Sequence, residues 1–168
     1  FIKVFDEEVL APTGTEVNYG RVNFQRVAAS VSVIDFHKKQ ILLVGQNRYP
    51  ILMYSWETIQ GGSKLGTNPY EIAMREMNEE ANLGVTRNHL NFICKTHTSN
   101  SVTDEKAFLF WCDVKNTTNI DSINRADPTE LIKIKWYSIN DCLQMLNQEI
   151  ITDALTQVSL LHISKFLF

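Results

Sequence analysis

Gly61-Gly62-Ser63-Lys64-Leu65-Gly66-Thr67-Asn68-Pro69-Tyr70-Glu71-Ile72-Ala73-Met74-Arg75-Glu76-Met77-Asn78-Glu79-Glu80-Ala81-Asn82 is the stretch on which the fold turns. Pro69 suits the first turn of a helix, where its missing N–H costs nothing. Asn82 and Gly84 tolerate the left-handed backbone that ends one. The spacing predicts a helix from Pro69 to Ala81. Tyr70, Ala73, Met74, Met77 and Ala81 share one face and suit a core. Glu76, Glu79 and Glu80 fall within an arc of about 100° beside it. These carboxylates repel one another at i,i+3 and i,i+4, and two of them sit at the helix end that favours cations. No Lys or Arg lies on that arc. A divalent cation, Mg²⁺ or Mn²⁺, corrects both faults, because hard cations take carboxylate oxygens. The other reading of these residues alone is a solvated acidic face.

Outward from this helix, the chain reads as α+β. On its N-terminal side, Gly61, Gly62 and Gly66 mark an irregular loop, and Trp56–Ile59 reads as a short strand. Arg48-Tyr49-Pro50 opens a loop, and Gln40–Gln46 and Val22–Phe36 read as a strand pair around a His37-Lys-Lys39 turn. Residues 1–24 read as a small β appendage and residues 25–168 as the main domain. On the C-terminal side, Asn91–His97, Lys106–Val114 and Lys133–Tyr137 are strand candidates. Asn116–Pro128 is polar and loop-like. Ser138 and Asp153 are placed to cap two more helices. Trp56, Trp111 and Trp136 are expected in the core, and His97 in a structural role.

At 168 residues, 44% hydrophobic and 21% charged, the chain is expected to be one soluble domain with an appendage. A net charge of −3 disfavours a nonspecific coat on nucleic acid, which needs a basic surface. Cys94, Cys112 and Cys142 form no CxxC pair and no even set, so reduced thiols in a cytoplasmic protein are expected rather than disulfides or zinc. No apolar run suits a bilayer and no signal segment is visible, so no membrane partner is expected. The first residue is Phe rather than Met, so upstream residues are expected.

The pattern Gly61-x5-Thr67-x7-Arg75-Glu76-Met77-x-Glu79-Glu80-x-Asn82-Leu83 resembles the Nudix box. Two positions depart. Thr67 stands where the family has Glu, and Glu71 is placed to pair with Arg75 in its stead. Asn82 stands where the family has Gly. Further stretches look like the ADP-ribose and nucleotide-sugar pyrophosphatase branch: Gln46-Asn-Arg48-Tyr49-Pro50, Trp56-Glu57 leading to Gly61-Gly62, and Glu149 to Thr156. Ile59 and Gln60 replace that branch's Pro and Ala.

The resemblance implies an α/β/α sandwich with a mixed central sheet, and hydrolysis of a nucleoside diphosphate derivative to a nucleoside monophosphate and a sugar phosphate. It implies a small nucleotide substrate and Mg²⁺ or Mn²⁺ held by Glu76, Glu79, Glu80 and the carbonyl of Gln60. Glu105 is the expected catalytic carboxylate of the Thr98–Glu105 loop, with Asp104 second; Glu79 or Glu80 is the base in other branches. Arg48, Glu57 and Asp104 are candidates for substrate binding, and Arg75 for a clamp on the glutamates. Relatives often dimerise through the appendage, so a homodimer is expected. Two rivals remain: a nucleotide-binding module without turnover, and an enzyme acting on nucleoside triphosphates or RNA 5′ ends.

Overall fold

The computed structural model describes residues 1–120, 123 and 132–167. Strand β1 (Ile2–Leu10) and strand β2 (Glu16–Phe24) form a two-stranded antiparallel hairpin apart from the main sheet. Seven strands make that sheet: β3 (Arg26–Asp35), β4 (Gln40–Arg48), β5 (Met53–Glu57), β6 (Ile59–Lys64), β7 (Asn91–His97), β8 (Lys106–Asp113) and β9 (Lys133–Ser138). Strands β3 and β8 are parallel and the other pairs antiparallel, so the sheet is mixed.

Alternation along β3 and β4 sets the layers. Val27, Ala29, Val31 and Val33 join Leu42 and Val44 against helix α1 (Pro69–Ala81) through Ile72, Ala73 and Met77. On the other face, Ile34, Ile41 and Leu43 meet helices α2 (Ile139–Asn147) and α3 (Ala154–Phe166) through Ile139, Cys142, Leu160 and Ile163. The result is the α/β/α sandwich expected. Trp56, Trp111 and Trp136 are half-buried and pack against the two cores.

A splay in the sheet creates the site. Strands β3 and β4 pair only at Ile34–Ile41 and Asp35–Gln40, then diverge. The wedge is filled by β5 on β4 and by β6 on β3, with Thr58 at the crease between them. This corrects three expectations. Gly61 and Gly62 are ladder residues of β6, paired with Ala29 and Ala28, because a close backbone approach needs no irregular loop. The Trp56–Ile59 segment is two strands meeting at Thr58. Val22–Phe36 is also two strands, parted at Gln25 as the chain leaves the hairpin for the sheet. The polar stretch Asn116–Pro128 falls largely outside the described residues.

Helix α1 begins with the Asn68 side chain accepting from the Tyr70 N–H, followed by Pro69. It ends at Asn82, left-handed at φ 55°, whose N–H meets the carbonyls of Asn78 and Met77. Asn is the non-glycine residue best suited to that conformation, which accounts for its place here. Ser138 and Asp153 cap α2 and α3 as expected. Among the described residues, no helix is long and apolar enough to cross a membrane.

Candidate active site

Helix α1 lays Glu76 and Glu80 against β6, where both are more than nine-tenths buried. The Gln60 N–H donates to Glu80 Oε2 at 3.3 Å. A side chain on Gly61 would fall onto the Glu76 carboxyl group, so glycine lets helix and strand close to this separation. Arg75 answers the expected repulsion. Its guanidinium donates to Glu79 Oε2 at 2.6 Å, to Glu76 Oε1 at 2.5 Å and to the Gly62 carbonyl at 3.2 Å. The expected pairing of Arg75 with Glu71 is therefore corrected: Arg75 turns toward β6, where two carboxylates and a carbonyl outweigh one exposed partner. A long side chain off the acidic arc also reaches that arc, which the helical angles alone do not reveal.

The second cluster lies at the β5–β6 crease. Arg48 Nε donates to Glu57 Oε1 at 2.9 Å and its Nη2 donates to Oε2. Gln60 Nε2 donates to Glu57 Oε2 at 2.5 Å. Glu57 is only 3% exposed. Burial pushes its carboxyl up, but the Arg48 hydrogen bonds and charge, helped by Gln60 and Ser55, prevail and hold it below the usual carboxylate range. Arg48 is raised in turn, chiefly by its hydrogen bonds to Glu57.

Three clefts meet at Arg48 and Gln60. One, of about 370 Å³, is lined by Arg26, Gly61, Gly62, Arg75 and the three box glutamates. A second, of about 390 Å³, shares Arg26 and adds Phe24, Thr98, Glu105 and Asp153. The third, of about 490 Å³, runs past Pro50, Ile51, Ser55 and Glu57 to Thr152 and Asp153. Glu105 thus shares a cleft with Gln60 and Gly61, and accepts a hydrogen bond from Thr98 Oγ1 at 2.7 Å. Asp104 points elsewhere: its Oδ1 accepts from the Phe24 N–H at 2.7 Å and its Oδ2 from Asn23. Those bonds, led by the Phe24 N–H, hold its carboxyl below the usual range. It fastens the loop to the hairpin. His97 is exposed on β7 and lines none of these clefts.

Two cleft residues escaped the sequence reading. Arg26 opens β3 and lines two clefts, its guanidinium 4.9 Å from the Phe1 ring centroid. Asp153 was read only as a helix cap. No motif marks Arg26, and the stretch that resembles the branch from Glu149 to Thr156 marks Asp153 only as part of a helix entry.

The donor set fits a hard divalent cation. Glu76 and Glu80 are buried carboxylates, Glu79 stands beside them, and the Gln60 backbone lies against Glu80, so hard oxygen donors are what the site offers. Among the described residues, no set of three acidic, His or Cys side chains is already gathered around one point. Arg75 instead spans Glu76 and Glu79.

A crease between a splayed sheet and an acidic helix, flanked by arginines, has the carboxylates to hold a divalent cation and the cations to attract a phosphate anhydride. The Nudix domain model matches residues 24–155, and the chain belongs to the Nudix family as a pyrophosphohydrolase. Nudix enzymes generally use a divalent metal. The chain is 25% identical over 162 residues to the ADP-ribose pyrophosphatase of Bacillus subtilis (strain 168), covering 96% of this chain and 84% of that protein. A crystal structure of an ADP compounds hydrolase superposes with a TM-score of 0.80 at 17% identity, covering 99% of this chain and 91% of that one. The latter likeness speaks for the fold.

Proposed function

We propose that this chain hydrolyses ADP-ribose or a related nucleotide sugar to a nucleoside monophosphate and a sugar phosphate. The observation that carries the reading is the single junction at Gln60–Gly61, where the buried Glu76 and Glu80, the Arg48–Glu57 pair and the Glu105 cleft all meet. The similarity to the Bacillus ADP-ribose pyrophosphatase supports the substrate class.

Glu76, Glu79, Glu80 and the Gln60 carbonyl would hold Mg²⁺ or Mn²⁺, which supplies charge neutralisation for the diphosphate. The protein's own groups do the rest. Arg48 and Arg26 draw the diphosphate into the crease. Arg75 fixes the box carboxylates, as the expected clamp. Glu105 takes a proton from the water that attacks phosphorus, and the anhydride oxygen leaves with the other phosphate. Glu79 and Glu80 are the alternative bases.

We further assign residues 1–24 as an appendage that pairs two copies of the chain. Ile2, Val4, Leu10 and Val17 are exposed on the hairpin, as an interface would require. The three unpaired thiols support a reducing, cytoplasmic setting.

The test is a product assay over nucleotide sugars, ADP-ribose, dinucleotides and nucleoside triphosphates, with Mg²⁺, Mn²⁺ or chelator, beside Glu80→Gln. A nucleoside monophosphate from one nucleotide sugar, abolished by chelator and by the variant, is the expected result. The Arg75 bridges favour a second reading, a nucleotide-binding domain without turnover. Binding without any product in either metal would replace the hydrolase reading by that one.

A further inference from the structure

The third cleft, past Arg48 toward α3, is not needed to hold a metal or a diphosphate. Its polar groups have an unusual balance. Glu57 is saturated by Arg48, Gln60 and Ser55. Because a carboxylate only accepts, Glu57 fixes the Gln60 amide with its nitrogen inward. That leaves Gln60 Oε1 as a buried acceptor with no hydrogen bond. Asp153 is half committed in the same way. Its Oδ2 takes both the Thr156 N–H at 2.8 Å and the Thr156 hydroxyl at 2.7 Å. Its Oδ1 has no hydrogen bond among the described residues. Both residues line the cleft, together with Ser55 and Thr152.

Arg48 also lines the cleft, but its Nε and Nη2 are taken by Glu57; a phosphate group, which only accepts, gains nothing from the two bare acceptors, and the Asp153 charge repels it. A sugar hydroxyl donates, and a carboxylate oxygen is a strong acceptor for it. A buried acceptor left unmet is costly, so a donor that reaches it gains binding energy.

We infer that this cleft is a polyol subsite in which Asp153, seconded by Gln60, takes the hydroxyl face of the sugar carried by the diphosphate. The inference rests on the nucleotide-sugar reading above. It orients the substrate, with the anhydride over the box glutamates and the sugar against the start of α3.

Asp153→Asn tests it sharply. Capping α3 requires an acceptor toward the Thr156 N–H, so the new amide oxygen turns to the helix and its nitrogen turns into the cleft. Asn caps about as well as Asp, so folding is preserved, as thermal melting will show. One acceptor in the cleft thereby becomes a donor.

Equilibrium binding would be measured in chelator, where turnover cannot interfere, for ADP-ribose and for the β-methyl ester of ADP, which lacks the sugar. Wild type should bind ADP-ribose the more tightly. The variant should lose about tenfold or more for ADP-ribose, the loss of a hydrogen bond to a charged group. For the methyl ester it should be unchanged or tighter. Equal losses on both ligands, unchanged ADP-ribose binding, or wild type binding the two alike would overturn the subsite. Wild type that shows this pattern yet hydrolyses neither compound when metal is restored would sink the hydrolase reading and leave the subsite standing.

Discussion

A Cβ on Gly61 would occupy the space of the Glu76 carboxyl group, so that carboxylate has no room to stay if the glycine is replaced. Gly61→Ala should displace Glu76 while leaving the β6 ladder intact. A displacement on the ångström scale costs about 100-fold in turnover. We expect kcat/KM to fall by that order with little change in melting temperature; near wild-type kinetics would mean that Glu76 does not need its observed position. Glu57 offers a pH test at the same scale. Its pKa is lowered in the folded state, against an unfolded value of about 4.3. A lowered carboxylate stabilises the fold fully above the unfolded value, and the stabilisation is lost as pH falls through the folded one. Glu57→Gln should therefore cost about 1–3 kcal/mol at neutral pH, allowing for the partial exposure of Arg48, and progressively less in acid. Denaturant unfolding at neutral pH and at about pH 3.5 measures both; a gap that does not narrow in acid would exclude ionised Glu57 as its source.

Among the elements, the β5–β6 crease and α3 are joined by buried hydroxyls. Thr156 Oγ1 accepts from the Thr58 N–H at 3.0 Å, and the Thr58 hydroxyl meets Ser30 Oγ at 2.7 Å. Thr156→Val keeps the shape but removes the acceptor for Thr58 and the donor to Asp153. We expect a loss of about 1–3 kcal/mol, the cost of an unpaired buried N–H, and a raised KM, because Thr58 sits between Glu57 and Gln60. Thr156→Ser should restore most of both; a Val variant matching wild type in unfolding and in KM would show that the crease does not depend on this hydroxyl link. This link also marks where sequence reading stops. Helix α1 was legible from Pro69 to Asn82 because capping, periodicity and the box are all local. The pairing of β5 with β4 and of β6 with β3 is long-range, so Trp56–Ile59 read as one strand and Gly61–Gly62 as a loop. The three glutamates were legible for the same local reason. Arg26 and Asp153 were not, because their places beside Gln60 depend on long-range packing: β3 pairs with β6, and α3 is tied to the crease through Thr156 and Thr58.

Across the whole molecule, the hairpin and the Thr98–Glu105 loop are fastened together. The Val22 N–H donates to the Val102 carbonyl at 2.8 Å, Tyr19 Oη donates to the Ser101 carbonyl at 2.7 Å, and Asp104 receives the Phe24 N–H. Asp104 is thus the neighbour that ties Glu105's loop to β2, whose last residue, Phe24, lines the same cleft as Glu105. Removing the tie should loosen the loop and leave the sandwich unaffected, since Asp104 is exposed and touches neither core. For Asp104→Ala we expect kcat to fall about tenfold, as the proton acceptor spends less time in place, with KM for the nucleotide nearly constant. Amide exchange should quicken at Phe24 and Val22 and stay unchanged in β3 and β8. Global unfolding should shift little. If kcat holds while exchange quickens, either Glu105 does not need the tie or one of the box glutamates is the base. If exchange also stays as in wild type, the remaining bonds of Tyr19 and Val22 hold the hairpin by themselves.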